Sequence, residues 1–239
     1  MVDWFKFAPP KEGEKHWCDG RSAKELAKAW LRTGEPNVPE GLEALFESHT
    51  LTRELVIKKA IPERQTKLDD FRGETRNSDL ILIGTAEGIR MVVGIEAKAD
   101  ESFGPIIQDY LKKKTSTKSK VPERIDLLLR SIFARSSDER LAQLRYQLLH
   151  GLAGTLIEAK QQKASLAAFF VHEFISQETN PEKVQQNKAD FERFVRTFPG
   201  LERTQIPSRI LLGPIRVLGG QFVPDDIPVL IGKVTSNLQ

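Results

Sequence analysis

The hydrophobic pattern of this chain alternates between short aliphatic runs and longer segments in which apolar residues recur with a helical period. The runs at residues 78–83, 89–97 and 165–174 have the length and composition of strands. Helical periodicity marks residues 22–32, 40–48, 122–133, 138–160 and a segment that begins after Asn180. Short strands are also predicted at residues 55–57, 209–217 and 227–234. This order of elements predicts an α/β protein.

The first two aliphatic runs predict a β-hairpin. Residues 84–88, with a glycine at each end, have the composition of a hairpin connection. If Gly84 lies opposite Ile89, counting back along both strands places Asp79 opposite Gly94. Because glycine has no side chain, this register leaves room beside the Asp79 carboxylate.

Two carboxylates and a lysine fall on one face of this hairpin. In the predicted register Glu96 is the diagonal cross-strand neighbour of Asp79, and Lys98 follows on the same face. Diagonal partners lie roughly 7–8 Å apart, a span that two carboxylates can bridge through one hard cation such as Mg²⁺ or Mn²⁺. A nearby ammonium can stabilise charge that develops on a phosphate. The alternative is a solvent-facing strand with ordinary polar side chains.

These residues resemble the signature of the PD-(D/E)XK nuclease superfamily, whose fold is called restriction-endonuclease-like. Asp79 matches the acidic residue of one core strand, and Glu96-Ala97-Lys98 matches the Glu-x-Lys of the next, with Ser78 in place of the proline. The resemblance implies a mixed central sheet flanked by helices. It also implies that Asp79 and Glu96 bind Mg²⁺ (or Mn²⁺) and that Lys98 assists hydrolysis. The expected activity is that of a metal-dependent endonuclease acting on DNA, in bacterial defence or DNA processing.

Longer segments resemble an uncharacterised bacterial subgroup of the same superfamily. The similarity is carried by residues 22–30, 96–104, 145–150 and 170–174. Because the subgroup has no established substrate, this second resemblance bears on the fold alone. We expect one domain over residues 1–239, with an N-terminal helical extension (1–39), a core (about 40–175) and a C-terminal helix with short strands (176–239).

A third carboxylate is a candidate on the helix before the first core strand. Many members of the superfamily place an extra acidic residue there, and the resemblance makes Glu47 a candidate catalytic residue. Glu43, or an exposed glutamate without a role, explains the position equally well.

The long helix predicted for residues 138–160 offers further candidates. Gln147 shares a stripe with Gly151 and Gly154, which close packing against the sheet would explain. Nuclease groups that carry a polar glutamine on a core helix make Gln147 a candidate catalytic residue by resemblance. Tyr146 and His150 share a different side of the helix and are alternative candidates.

The composition is that of an ordinary soluble globular protein, with 39% hydrophobic and 29% charged residues. No apolar run approaches the ~20 residues of a membrane helix. The single cysteine, Cys18, excludes an intramolecular disulfide and fits a reducing cytosol. We therefore expect a cytoplasmic protein without a membrane partner.

One Ser/Thr-rich stretch concentrates positive charge, although the net charge of the chain is only +3. We predict that this stretch contacts the phosphates of a nucleic acid, and a solvated loop is the equal alternative. The lysines concerned are Lys112, Lys113, Lys114, Lys118 and Lys120.

Two other functions stay open at this point. A catalytically inactive nucleic-acid-binding or protein-interaction module could keep the same fold, although it would not need all three of Asp79, Glu96 and Lys98. Hydrolysis of RNA or of a nucleotide signal would use the same chemistry. A homodimer fits an enzyme that cuts duplex DNA, because two strands need two cuts.

Overall fold

A mixed β-sheet of six strands forms the centre of the protein. The computed structural model describes residue 4 and residues 17–32, 34–71, 75–113, 119–134, 136–202, 205–207 and 209–238. The strands are β1 (Val56–Thr66), β2 (Arg76–Ala86), β3 (Ile89–Ala99), β4 (Leu166–Ile175), β5 (Leu212–Ile215) and β6 (Val229–Asn237). Their order across the sheet is β1-β2-β3-β4-β6-β5, with β3, β4 and β6 parallel and the other pairs antiparallel. The predicted α/β class is confirmed, and the sheet is mixed.

Helices cover both faces of the sheet. One face carries α1 (Ser22–Trp30) and α2 (Glu40–Glu47), which share a hydrophobic core with Leu82 of β2 and Phe170 of β4. On the other face, Ile81 of β2 and Phe169 of β4 pack against the remaining helices. These are α3 (Ile107–Lys113), α4 (Val121–Phe133), α5 (Glu139–Ala142), α6 (Tyr146–Gln161) and α7 (Pro181–Val195). None of the helices described is both long enough and apolar enough to cross a membrane.

The predicted β2–β3 hairpin is present, but its register differs from the prediction by two residues. The connection is a two-residue turn, Glu87 and Gly88, whose φ angles of 47° and 79° are those that a type I′ turn requires. As a result Ile81, and not Asp79, pairs with Gly94. A shift of two residues leaves each side chain on its predicted face, because alternation has a period of two.

Glycines allow α6 to lie directly on the sheet. A Cβ atom at Gly94 of β3 would overlap the hydroxyl of Thr155 and would lie 3.0 Å from its Cβ. A Cβ atom at Gly151 would lie 2.7 Å from Cζ of Phe169. Since a helical glycine costs about 1 kcal/mol relative to alanine, close packing is the reason for its presence here.

The single long helix predicted for residues 138–160 is wrong, because the chain forms α5 and α6 instead. Arg145 lies between them in an extended conformation, with φ of −73° and ψ of 124°. Its backbone forms an isolated antiparallel bridge with Ile106, and its Nε donates a hydrogen bond to Asp190 Oδ2 at 2.7 Å. These contacts with distant segments replace the helical hydrogen bonds at this point. The new helix then begins at Tyr146, which leaves Gln147 in its first turn.

Candidate functional site

Asp79 and Glu96 face each other where the pairing of β2 with β3 ends. Within the described strands the pairs end at Leu80 and Ile95, and the same register places Glu96 directly across from Asp79. Past that point the Asp79 side chain acts as the acceptor, because the Ala97 N–H donates a hydrogen bond to Asp79 Oδ2 at 2.6 Å. The predicted diagonal arrangement is therefore corrected to a direct one. The two carboxylates still share the sheet face that packs against α6.

Glu96 is buried and accepts hydrogen bonds from three side chains. Arg76 Nη2 donates to Oε2 at 2.7 Å, and Lys98 Nζ donates to Oε1 at 2.9 Å. Gln147 Nε2, at the start of α6, also donates to Oε1. The structure thus brings the predicted residues Asp79, Glu96, Lys98 and Gln147 together from two strands and one helix.

The charges of Glu96 and Lys98 support each other in a buried environment. Burial would raise the pKa of Glu96, but Lys98 and Arg76 outweigh burial and lower that pKa to about 2. Burial would likewise lower the pKa of Lys98, but Glu96 and Glu101 raise it above the usual value of a lysine. Lys98 Nζ also lies 5.7 Å from the centre of the Phe103 ring, within range of a cation–π contact. Glu96 is therefore a carboxylate and Lys98 an ammonium at neutral pH.

Asp79 is half-buried and carries a perturbed carboxyl group. Its pKa is raised well above the usual range, first by burial and then by the negative charge of Glu96. Lys98 opposes this effect. Of the two carboxylate oxygens, only Oδ2 accepts a hydrogen bond from a described residue. Oδ1 of Asp79 is therefore available to a cation. A nearby positive charge would also offset the unfavourable environment of the ionised carboxylate.

A third carboxylate, which the sequence analysis missed, lies beside this pair. The β1–β2 register places Glu63 across from Asp79, and Asn77 Nδ2 donates a hydrogen bond to Glu63 Oε2. Burial, with a further contribution from the charge of Glu96, raises the pKa of Glu63 to about 7, although the Asn77 bond opposes this. The predicted first strand covered only residues 55–57, and so it did not reach Glu63.

A buried arginine, also missed from the sequence, connects Glu96 to α6. Besides its bond to Glu96, Arg76 Nη1 lies 2.9 Å from His150 Nδ1. A Cβ atom at Gly154 would lie 2.9 Å from Arg76 Cδ, so the absent side chain provides the space for the arginine. Among the described residues, Nε of Arg76 has no hydrogen-bond partner.

Strand alternation explains why sequence reasoning overlooked Arg76. It stands three residues before Asp79, and strict alternation would place the two side chains on opposite faces. On the neighbouring strand β1, Glu63 has a φ of 50°, which is uncommon for a residue other than glycine. Arg76 departs from strict alternation relative to Asp79, although the register of β1 with β2 is unchanged from Pro62–Leu80 to Thr66–Arg76. In the sequence Arg76 stands in a polar stretch, between Thr75 and Asn77, so no local signal marked it as buried.

The two alternative candidates on α6, His150 and Tyr146, are connected to Glu96 through Arg76. Burial and the charge of Arg76 hold the pKa of His150 well below its usual value, so the ring is neutral and contacts Arg76. The Tyr146 ring packs against His150 with 4.6 Å between centroids and stacks on Tyr110 at 5.0 Å. Burial raises the pKa of Tyr146 to about 12. Tyr146 is therefore one contact further than His150 from the carboxylate pair.

Glu47 does not join the site. It is exposed on α2, where Oε1 accepts a hydrogen bond from the Glu54 N–H at 3.1 Å and Oε2 lies 3.7 Å from Arg53 Nε. The preceding residue, Phe46, packs on Phe170 at 5.5 Å, on the sheet face opposite to Asp79. The sheet itself thus separates Glu47 from the other candidates.

The lysine-rich stretch lies partly within the described structure. Lys114 and Lys118 are outside the described residues. Lys112 lies 3.8 Å from Asp109 at the end of α3, and Lys120 lies 2.7 Å from Glu123 at the start of α4. Lys113 is exposed at the end of α3. Both helices belong to the same helical layer as α6, and phosphate binding by these lysines stays a prediction.

The donor atoms of the site fit a hard divalent cation. Asp79 and Glu96 present carboxylate oxygens from facing strand positions, and Mg²⁺ typically takes one or two protein carboxylates and keeps several waters. Among the described residues, no three His, Cys, Asp or Glu side chains are grouped as metal ligands. Asp79 and Glu96 would be the protein ligands of such a cation, because they stand at facing positions of adjacent strands. Glu96 would have to share its oxygens with Arg76, Lys98 and Gln147.

Fold and site together define a mixed α/β protein in which a buried glutamate, lysine and arginine lie beside two half-buried carboxylates on one face of the sheet. The chain belongs to the DUF6946 family, described as a domain of unknown function, whose family model matches residues 1–238. No curated protein and no solved structure matches the chain.

Proposed function

We propose that this protein is a metal-dependent nuclease of the restriction-endonuclease-like type, which hydrolyses phosphodiester bonds, with DNA as the expected substrate. The observation that carries the proposal is the convergence of Asp79, Glu96 and Lys98 on one face of two adjacent strands. Their types and order along the chain are those of the PD-(D/E)XK signature. A role in bacterial defence or DNA processing, and action as a homodimer, belong to the same proposal.

Each side chain has a separable task in the proposed reaction. Asp79 and Glu96 would hold Mg²⁺ or Mn²⁺, which, when bound, polarises a phosphoryl oxygen and lowers the pKa of coordinated water. Lys98 is a fixed ammonium 2.9 Å from Glu96, so it can stabilise the negative charge that develops on the phosphate. Gln147 fixes the orientation of Glu96 through its hydrogen bond to Oε1. Because Lys98 and Glu96 are almost fully buried, a substrate would reach the site from the side of the half-buried Asp79.

The test of the proposal is cleavage of nucleic acid by the purified protein. Supercoiled plasmid, single-stranded DNA and RNA are incubated with the protein in Mg²⁺ or Mn²⁺, and in excess chelator as the blank. We expect cleavage only with metal, and a loss of about a hundredfold or more for Asp79→Asn, Glu96→Gln and Lys98→Gln. The Asn and Gln side chains are close in size to the carboxylates, so the change isolates charge from packing.

Glu47→Gln is the matched control for Glu96→Gln. It removes the same charge from an exposed residue on the other face of the sheet, and we expect full activity. Cleavage that persists in chelator, or that survives equally in Asp79→Asn and Lys98→Gln, would contradict the proposal. Preference among the three substrates separates DNA cleavage from hydrolysis of RNA.

A catalytically silent binding module is the second candidate, and one contact favours it. The Arg76 guanidinium lies 2.7 Å from Glu96 and so brings a positive charge to the carboxylate that the nuclease proposal assigns to the metal. Such a module would bind nucleic acid without cleaving it, and its binding would be unaffected by Asp79→Asn. Measuring binding alongside cleavage for the same variants distinguishes the two functions.

A further inference from the structure

Arg76 stands out among the charged residues near the candidate site, because neither strand alternation nor the nuclease signature accounts for it. It is buried, with an exposed fraction of 6%, and it lies within 2.7 Å of a carboxylate that the proposed function needs for a cation. Burying a guanidinium is unfavourable unless charge and hydrogen bonds compensate for its lost hydration. Here Glu96 supplies the charge and His150 a second hydrogen-bond partner.

The helix above the site is shaped around this arginine. Gly154 on α6 leaves the space that Arg76 Cδ and Nε occupy, at 2.9 Å and 3.3 Å from the position of a Cβ atom. A Cβ atom at Gly151 would lie 3.4 Å from Arg76 Nη2. Both glycines weaken the helix relative to alanine. The arginine is thus accommodated by the fold and is not a surface side chain that has turned inward.

We propose that Arg76 is a positioning residue that competes with the divalent cation for Glu96 and thereby sets the metal affinity of the site. This inference rests on the proposed function. Arg76 orients Oε2 of Glu96 and neutralises part of its charge, while Lys98 already neutralises Oε1. A divalent cation that binds Glu96 therefore meets two positive charges in a buried environment, where repulsion is only weakly screened.

The sign of the effect distinguishes competition from simple structural support. A residue that only holds Glu96 in place would, when removed, weaken metal binding. A competing cation would, when removed, tighten it. We expect the dissociation constant of Mn²⁺ to fall by about tenfold or more in Arg76→Gln, because one of the two opposing charges is gone. In Arg76→Lys, which keeps the charge, we expect it to stay near the value of the parent protein.

The experiment is a calorimetric titration of the full chain with Mn²⁺ alone, in the absence of nucleic acid. Thermal unfolding of each variant reports whether it folds. Gly154→Ala serves as a second variant if Arg76→Gln does not fold, since the added methyl group displaces the arginine from Glu96 and favours the helix. We expect tighter Mn²⁺ binding for this variant also, with a smaller change than for Arg76→Gln because the charge remains nearby.

The outcomes separate this inference from the proposed function. Tighter binding by Arg76→Gln with parent-like binding by Arg76→Lys supports it. Weaker or unchanged binding by Arg76→Gln, in a parent protein that binds Mn²⁺, overturns it and leaves the nuclease proposal in place. Binding by Arg76→Gln but not by the parent protein supports the inference and overturns metal-dependent activity of the parent. Absence of binding in both proteins overturns the metal site and the inference together.

Discussion

At the scale of single residues, the site concentrates charge in a place where charge is unfavourable. Asp79 and Glu63 have raised pKa values, whereas Glu96 stays ionised only because Lys98 and Arg76 accompany it. Such an arrangement lowers the stability of the folded chain, and proteins tolerate this mainly where a function requires it. The residues concerned were only partly visible in the sequence. Asp79, Glu96 and Lys98 formed a motif, but Glu63 lay outside the predicted first strand and Arg76 departs from strict alternation.

Neutralising Asp79 should stabilise the protein. Because the pKa of Asp79 is higher in the folded chain than in the unfolded chain, the folded state retains a proton that the unfolded state releases. The resulting contribution to the free energy of unfolding is therefore present at low pH and is lost as the pH rises from about 4 through the folded pKa. In Asp79→Asn the side chain is neutral at every pH of the experiment, so this loss of stability does not occur. We expect the free energy of unfolding of this variant to exceed that of the parent protein at neutral pH.

Urea denaturation in chelator between pH 4.5 and 7.5 measures this difference. Asp109→Asn removes one carboxylate from an exposed position on α3 and is the matched control, and its free energy of unfolding at neutral pH should stay near that of the parent protein. If Asp79→Asn is less stable than the parent protein at neutral pH, the carboxyl group is not in the unfavourable environment described here.

At the scale of elements, the sequence predicts the strands and helices that have a clear hydrophobic period. It does not predict how neighbouring elements join. The positions of β2, β3, β4 and α4 followed from the hydrophobic pattern of the chain, within a few residues. The register of β2 with β3 did not, because the five residues from Gly84 to Gly88 allow more than one turn. The break at Arg145 also had no local signal, since it depends on Ile106 and Asp190 from distant segments.

The contact between β3 and α6 should be intolerant of a single methyl group. A Cβ atom at Gly94 would overlap the Thr155 hydroxyl, and neither strand nor helix can move freely, because β3 is paired on both sides. We expect Gly94→Ala to lower the free energy of unfolding by about 1–3 kcal/mol. Activity should also fall, because Glu96 is two residues further along β3. Equilibrium unfolding and the cleavage assay measure the two effects.

A second substitution should relieve much of this strain. In the Thr155→Ala background the hydroxyl group, which the new Cβ atom would overlap, and the methyl group, 3.1 Å from its position, are absent, and the Cβ atom of residue 155 remains at 3.0 Å. The cost of Gly94→Ala should therefore be smaller there than in the parent protein. An equal cost in both backgrounds would show that the strain arises elsewhere.

At the scale of the whole molecule, the candidate site exists only when distant parts of the chain are assembled. Glu63 comes from β1, Asp79 from β2, Glu96 from β3 and Gln147 from α6. Strand β3, which carries Glu96, is paired with β2 on one side and with β4 on the other. Sequence reasoning found the pair on adjacent strands because a hairpin is local. The contribution of α6 came from resemblance, since no local pattern links residues 96 and 147.

The fold as a whole should lose stability in acid through a buried histidine of β4. Burial lowers the pKa of His172 to about 3, and its Nε2 lies 2.8 Å from Ser236 Oγ of β6. Near pH 6.5 the His172 ring becomes protonated in the unfolded chain, whereas in the folded chain it stays neutral until the pH approaches 3. Stability from this residue is therefore complete above pH 6.5 and is lost as the pH falls toward 3. The expected loss between pH 7 and pH 5 is about 2 kcal/mol.

His172→Gln should reduce this pH dependence, because glutamine does not titrate and its amide can still bond to Ser236. Some dependence should remain, since His150 is also held neutral by burial and by Arg76. Ser236→Ala is the control that removes the hydrogen bond but keeps the ring, and it should retain the full acid sensitivity. Chemical denaturation at pH 5, 6 and 7 provides the measurement. The same slope in His172→Gln and the parent protein would contradict this account.

The two outermost strands of the sheet bear on how copies of this chain could associate. β1 exposes Lys58 and Lys59 next to an irregularity in its pairing and contains Pro62, whereas β5 has only four residues and contains Pro214. Charged side chains, proline and shortness all prevent an edge from accepting a strand of another molecule. A homodimer of this protein would therefore form through its helical layers, and each copy would keep a sheet of its own.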